Sequence, residues 1–218
     1  LNLISSFQSE GYLDFNINDY KIENHKELIL NLTTGEKYYI NDIRFIGNYI
    51  FTDSTLNSKL NFSIDDIFNG VDFELSNMNI NTLYRDKGYL FSDIVPSLIP
   101  VSKDSVKILF SINEKSIVQV NKIIIKGNNK TEENIIRRDI DIFPGDFFSQ
   151  SAVMESARKL FMLNYFENVI PDIKKINDNE IDLIFEVIEK SSGTLNFSAG
   201  YSPLWVTLWL NCWGQQVL

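Results

Sequence analysis

Cysteine and histidine are almost missing from this chain. Of its 218 residues one is cysteine, Cys212, and one is histidine, His25. A single thiol excludes an internal disulfide and leaves the redox state of the surroundings unreadable. Two such residues cannot supply the Cys/His spacing of a zinc site, so no metal ligand is assigned. No nucleophile–histidine–acid set forms a pattern around His25, which falls in a predicted hairpin turn and reads as structural. Basic residues are outnumbered: 20 Lys and Arg against 29 Asp and Glu give a net charge of −9. With no basic cluster to offset that charge, phosphate backbones are repelled, and no nucleic-acid partner is expected. There is no signal peptide and no apolar run long enough for a membrane helix. The stretch "GNNKT", Gly127 to Thr131, lacks the GxxxxGK[ST] spacing of a phosphate loop. Carboxylate pairs such as Asp65-Asp66 and Asp139/Asp141 read as surface solubility. No catalytic residue and no cofactor is assigned, and the chain reads as a binding protein rather than an enzyme.

What the chain does contain is a sentence written twice. "IRFIGNYIFTDSTL", Ile43 to Leu56, and "IIIKGNNKTEENIIRR", Ile123 to Arg138, share a β-branched or aromatic strand, a Gly-Asn turn and a helical pattern. With Gly47-Asn48 set on Gly127-Asn128 the offset is 80 residues. Leu56 and Leu60 then fall on Ile136 and Ile140, spaced as one face of a helix. A Glu-Lys pair closes each unit, at Glu36-Lys37, Glu114-Lys115 and Glu189-Lys190. A period this long describes a small domain.

A second helix ending recurs three times, as "FQSEGYL", "YRDKGYL" and "LFMLNYF". Gly11, Gly88 and Asn164 precede the tyrosine in each, and Gly and Asn are the residues that most readily take the left-handed conformation closing a helix. Two extended segments follow. The second alternates clearly, through Leu28, Leu30 and Leu32, through Val106, Ile108, Phe110 and Ile112, and through Ile181, Leu183, Phe185 and Val187. Polar turns such as Asn177-Asp178-Asn179 separate the two segments, as in a hairpin. Thr131 is placed to cap the first helix of the last unit, and Ser149 or Ser151 the second, whose Val153, Ala157 and Leu160 form an apolar stripe. Each unit therefore predicts β-α-α-β-β, an α+β fold with two helices covering one face of a three-stranded sheet.

These residues resemble a known family. "IIRRDI", "LNYFENV" and "EKSSGTLNFSAGYS" are similar to the last POTRA domain of a BamA-type outer-membrane protein assembly factor and its junction into the β-barrel. The resemblance implies a domain division of 1–35, the C-terminal part of one POTRA domain; 36–115, a complete one; 116–191, the last; and 192–218, the start of a barrel. It also implies a periplasmic arm at the outer membrane, before a membrane-anchoring β-barrel absent from this chain, that binds unfolded outer-membrane proteins and docks accessory assembly lipoproteins. Relatives with the same modules serve as translocation or secretion pores, and a purely structural spacer is the reading from another class. The opening "LNLISSFQSEGYLDF" reads as the middle of a longer chain. The ending departs from the family: "PLWVTLWLNCWGQQVL" carries Trp205, Trp209, Trp213 and Cys212. It reads either as a divergent barrel strand with interface aromatics or as an aberrant ending, and one strand closes no barrel.

The first segment of each hairpin is the candidate binding site. Pro96, Pro100 and Pro171 lack an N–H and are tolerated on an edge strand or at a bulge. An edge strand offers its backbone to an extended guest, so Ile94, Val95, Ser97 and Leu98, with Val169, Ile170 and Ile173, are the expected substrate-binding residues. Arg137, Arg138 and Asp139 are the expected docking point for an accessory partner.

Overall fold

A computed structural model of the protein describes residues 3–23, 27–191, 194–202 and 205–213. His25 lies outside them. The chain divides into two units, one holding residues 1–118 with 147–150 and the other residues 119–146 with 151–218.

The first unit opens on α1 (Leu3–Ser9) and the antiparallel pair β1 (Asn16–Glu23) and β2 (Glu27–Thr33). A complete β-α-α-β-β sequence follows: β3 (Tyr39–Ile46), α2 (Asp53–Asn57), α3 (Gly70–Asp86), β4 (Asp93–Pro100) and β5 (Ser105–Asn113). The sheet order is β3-β5-β4, with β5 in the centre, parallel to β3 and antiparallel to β4. Val106, Ile108, Phe110 and Ile112 of β5 are all buried, and the residues between them are not, because one face of the strand meets the helices. Against that face sits an aromatic chain in which Phe110 stacks on Phe45 (5.3 Å between centroids) and Phe73 (6.2 Å). Phe73 reaches on to Phe68 and Phe62.

The second unit repeats the plan with β6 (Gln119–Lys126), α4 (Glu133–Arg138), α5 (Gln150–Met162), β7 (Phe166–Lys175) and β8 (Glu180–Glu189), sheet order β6-β8-β7. Val153, Ala157 and Leu160 are buried as the apolar stripe requires. The antiparallel pair β9 (Thr194–Ser202) and β10 (Trp205–Trp213) follows, so the aromatic tail forms a second strand beside the first. The α+β architecture is as expected from the sequence.

Three left-handed residues close helices where the sequence places them. Gly11, Gly88 and Asn164 have φ of +97°, +93° and +63°. The Gly-Asn anchors have a different cause. A Cβ on Gly47 would stand 2.1 Å from the Ile112 carbonyl oxygen, and one on Gly127 the same distance from that of Val187. The turn therefore presses its backbone against the end of the central strand, where no side chain fits.

Two expectations are corrected. Thr131 does not cap α4; Glu132 occupies that place without a side-chain bond, and Thr131 is buried with its N–H donated to Glu189. Thr52, the residue at the Glu132 position in the first unit, does cap its helix by accepting from the Thr55 N–H. The first helices are also shorter than the Leu56/Leu60 and Ile136/Ile140 spacing predicts. α2 ends at Asn57 and α4 at Arg138, and the second member of each pair sits on a tighter turn, Leu60 N–H to Asn57 O and Ile140 N–H to Arg137 O. Packing still turns those side chains inward, so the apolar spacing survives the loss of helix.

One buried hydroxyl recurs in both units. Ser76 donates to the Asp72 carbonyl (2.6 Å) and accepts from the Asn61 N–H (2.8 Å). Ser156 does the same with Ala152 (2.7 Å) and Asp141 (2.9 Å). Each serine thus fastens the loop after the first helix to the body of the second.

Candidate functional site

The hairpins place β4 and β7 at sheet edges, each with one side unpaired. Which backbone groups face that side follows from the ladder. Val101 donates to the Ser105 carbonyl directly opposite, so the odd-numbered residues of β4 bond to β5 and the even-numbered ones face out. The outward set is Ile94, Pro96, Leu98 and Pro100. Both prolines thus stand where a missing N–H costs the sheet nothing. On β7, Ile176 donates to Glu180 in the same way, and the outward set is Val169, Pro171, Ile173 and Lys175. Of the sequence-predicted residues, Ile94, Leu98, Val169 and Ile173 present outward backbone groups. Val95, Ser97 and Ile170 bond inward and instead direct their side chains to the sheet face away from the helices, where Val95 is 50% exposed and Ile170 44%.

The β4 edge has an apolar flank. In the first unit a groove of about 610 Å³ runs between α1, α3 and β4, lined among others by Ser9, Leu13, Val71, Leu75, Met78 and Leu98. Val71, Leu75 and Met78 follow helical spacing along the exposed side of α3. Leu98 therefore contributes an outward backbone and an apolar wall together.

The two edges differ in one respect that the sequence reading missed. On β7 the outward Val169 N–H donates to Asn168 Oδ1 (2.9 Å) and the outward Ile173 N–H to Asp172 Oδ1 (2.8 Å). The pattern is an Asn or Asp immediately before an outward position, which Asp93 before Ile94 also offers on β4 without making the bond, so parity and geometry together decide it.

Glu114 and Glu189, noted in the sequence as repeat markers, have a definite task. Glu114 accepts from the N–H groups of Tyr49 (2.8 Å) and Ile50 (2.9 Å) and from the Tyr84 hydroxyl (2.9 Å). Glu189 accepts from Lys130 (3.0 Å) and Thr131 (2.7 Å). Each carboxylate ties the Gly-Asn turn to the end of the central strand. Burial pushes the Glu189 carboxyl up, but the Thr131 and Lys130 amides outweigh it and hold the group below its ordinary value. Burial first, and then Glu114, raise the Tyr84 phenol.

At the expected docking point the charges are largely engaged. Arg137 donates to Glu133 (2.7 Å) and to the Ile123 carbonyl (3.0 Å). Arg138 approaches Asp139 at 3.6 Å and keeps 70% of its side chain exposed. Among the described residues no group of His, Cys, Asp and Glu is arranged to hold a metal ion.

Comparison with known proteins supplies the rest. The family pattern described as POTRA, "Surface antigen variable number repeat", matches residues 38–115 and again 118–190. The outer membrane protein assembly factor BamA of Neorickettsia risticii is 24% identical over 203 residues, covering 91% of this chain and 28% of that protein. The crystal structure of Haemophilus influenzae BamA POTRA3-5 superposes with a TM-score of 0.70 at 20% identity, covering 84% of this chain and 76% of that one. BamA from Haemophilus ducreyi lacking POTRA domains 1-3 matches with a TM-score of 0.64 at 26% identity, covering 75% of this chain and 32% of that one. The chain spans 25% to 34% of the length of the first curated relatives it matches. With one family pattern met twice on the fold that BamA POTRA domains share, the chain belongs to the POTRA family, of the kind carried by BamA-type outer-membrane protein assembly factors.

Proposed function

We propose that this chain acts as a periplasmic POTRA arm at the outer membrane, with residues 36–115 and 116–191 as two successive domains, and that it receives unfolded barrel proteins by strand addition. The observation that carries the reading is the register of β4, whose outward residues offer N–H groups at Ile94 and Leu98 and carbonyls at Ile94, Pro96, Leu98 and Pro100. An extended guest lying antiparallel to that edge pairs through its backbone, which ignores side-chain identity and suits a receptor for many clients. Its alternate side chains lie toward the groove of Val71, Leu75 and Met78. Each hydrogen bond gives about 0.5–1.5 kcal/mol net. Set against the ordering of the guest, a handful of them leaves an affinity on the order of millimolar to tens of micromolar. Release is then easy, as handing on a client demands.

The test is an NMR titration of the full chain with a peptide of residues 194–202, an uncharged segment alternating Leu195, Phe197, Ala199 and Tyr201 with small polar residues and glycine. Saturable shifts at the amides of residues 93–100 are expected. A spacer would show none and would crosslink to no unfolded client. A second contact, with an accessory lipoprotein, is assigned to α4 through Arg138, the exposed member of its cluster. Charge reversal at Arg138 is expected to weaken that partner's binding at least fivefold in a pull-down titration, and unchanged affinity would remove the assignment.

A further inference from the structure

We propose that Asn168 and Asp172 hold the β7 edge shut while Ser97 leaves β4 open, so that strand addition is confined to the unit built around β4. The inference rests on the edge-pairing reading above and assigns it to one of two strands that hold the same place in their units.

By register Tyr20, Leu98 and Ile173 occupy the same place in the three hairpins, opposite Leu30, Ile108 and Leu183. In β1 the Tyr20 N–H donates to Asp19 Oδ1 at 2.8 Å. In β7 the Ile173 N–H donates to Asp172 Oδ1 at 2.8 Å. In β4 the preceding residue is Ser97, and neither it nor Asp93 makes such a bond to the outward amides of the strand among the described residues. An amide already bonded to a carboxylate must give up a charge-assisted bond before it can pair with a guest carbonyl. The carboxylate also stands in the path of the incoming strand, facing its carbonyl oxygens with negative charge. On β7 the closure is nearly continuous: Val169 is held by Asn168, Pro171 has no N–H, and Ile173 is held by Asp172. β4 shares the central proline, as Pro96, but Asp93 and Ser97, which stand before its outward Ile94 and Leu98, make no such bond among the described residues. Its side-chain surroundings agree, since the apolar groove with Val71, Leu75 and Met78 lies beside Leu98. The occupant is thus an extended, uncharged, amphipathic segment of an unfolded protein.

An exchange of the guards tests this in the full chain. Ser97→Asp places an acceptor before Leu98, and the double change Asn168→Ala with Asp172→Ser removes both from β7. With the residue 194–202 peptide as probe, Ser97→Asp is expected to weaken binding at residues 93–100 at least fivefold. The double variant is expected to gain peptide-induced shifts along residues 166–175 that the parent chain lacks. Amide exchange at Val169 and Ile173 should accelerate at least tenfold in the double variant without peptide. Peptide shifts along β7 as strong as those along β4 in the parent chain would overturn the inference, as would a Ser97→Asp chain that binds undiminished. If the parent chain shows no shifts at β4, the edge-pairing reading itself falls. The exchange rates then decide alone: unchanged rates at Val169 and Ile173 refute the guards, and faster ones sustain them.

Discussion

Single side chains in this protein work mostly by satisfying backbone that would otherwise be buried unpaired. Ser76→Ala strands the Asn61 N–H and is expected to cost about 1–3 kcal/mol in urea unfolding, with Ser156→Ala matching it. Glu189 yields a prediction with a sign. Its folded pKa lies below its unfolded value near 4.5, so the stabilisation is complete above the unfolded value and fades as pH falls through the folded one. Glu189→Gln should therefore be less stable than the parent chain at pH 7, and the gap should narrow as pH falls below the unfolded value and close once it passes the folded one. These roles were only half legible. The glutamates stood out as repeat markers, but an acidic residue at a domain end carries no sign of which amides it will meet. The serines carry no sign in the sequence, because a hydroxyl amid helical periodicity looks the same whether it faces water or a returning loop.

The β-strands were the most readable elements and the first helices the least. Alternation in Val106–Ile112 and Ile181–Val187 has one physical reading, a strand buried on one face, and the structure gives it. α2 and α4 have five and six residues, too short for periodicity to define, and the cap assigned to Thr131 failed because the helix starts one residue later, with Glu132 at the cap place and Thr131 bound to Glu189. The unequal repeat spacing also finds its cause. α3 has 17 residues and α5 13, so the extra helical turn of the first unit accounts for four of the five residues by which the offset of 80 at the Gly-Asn turns shrinks to 75 at the closing glutamates, and the fifth is lost between the helix and the edge strand. The parity of the edge strands required the ladder itself, which is why Asn168 and Asp172 escaped the sequence reading. At this scale Gly127→Ala is the sharpest test. Its Cβ would meet the Val187 carbonyl at 2.1 Å, and a loss of roughly 2–4 kcal/mol in thermal or urea unfolding is expected.

For the molecule as a whole, each β-α-α-β-β unit buries its own aromatic or aliphatic core beneath its helices. Residues 118–190 expressed alone are therefore expected to unfold cooperatively, as followed by circular dichroism, though with the modest stability of so small a domain. A chain of that length lacking a sigmoidal transition would show that its core is not self-sufficient. Among the described residues no helix is long and apolar enough to cross a membrane, which leaves crossing by strands untouched.

Each sheet sets a charge pair across its parallel strands, and the two sheets do so with opposite polarity. Asp42 on β3 faces Lys107 on β5 at 3.4 Å, while Lys122 on β6 faces Asp182 on β8, also at 3.4 Å. Two homologous modules on one chain run the hazard that a strand of one inserts into the other during folding. Here a misplaced β3 would set Asp42 against Asp182, and a misplaced β6 would set Lys122 against Lys107, so the exchanged pairing repels itself where the correct one attracts. Reversing one pair in full, as Lys122→Asp with Asp182→Lys, should raise the fraction of chain lost to misassembly on rapid refolding, beyond what the lower stability of a sheet with a buried lysine beside Asn121 explains when matched against Asp182→Asn.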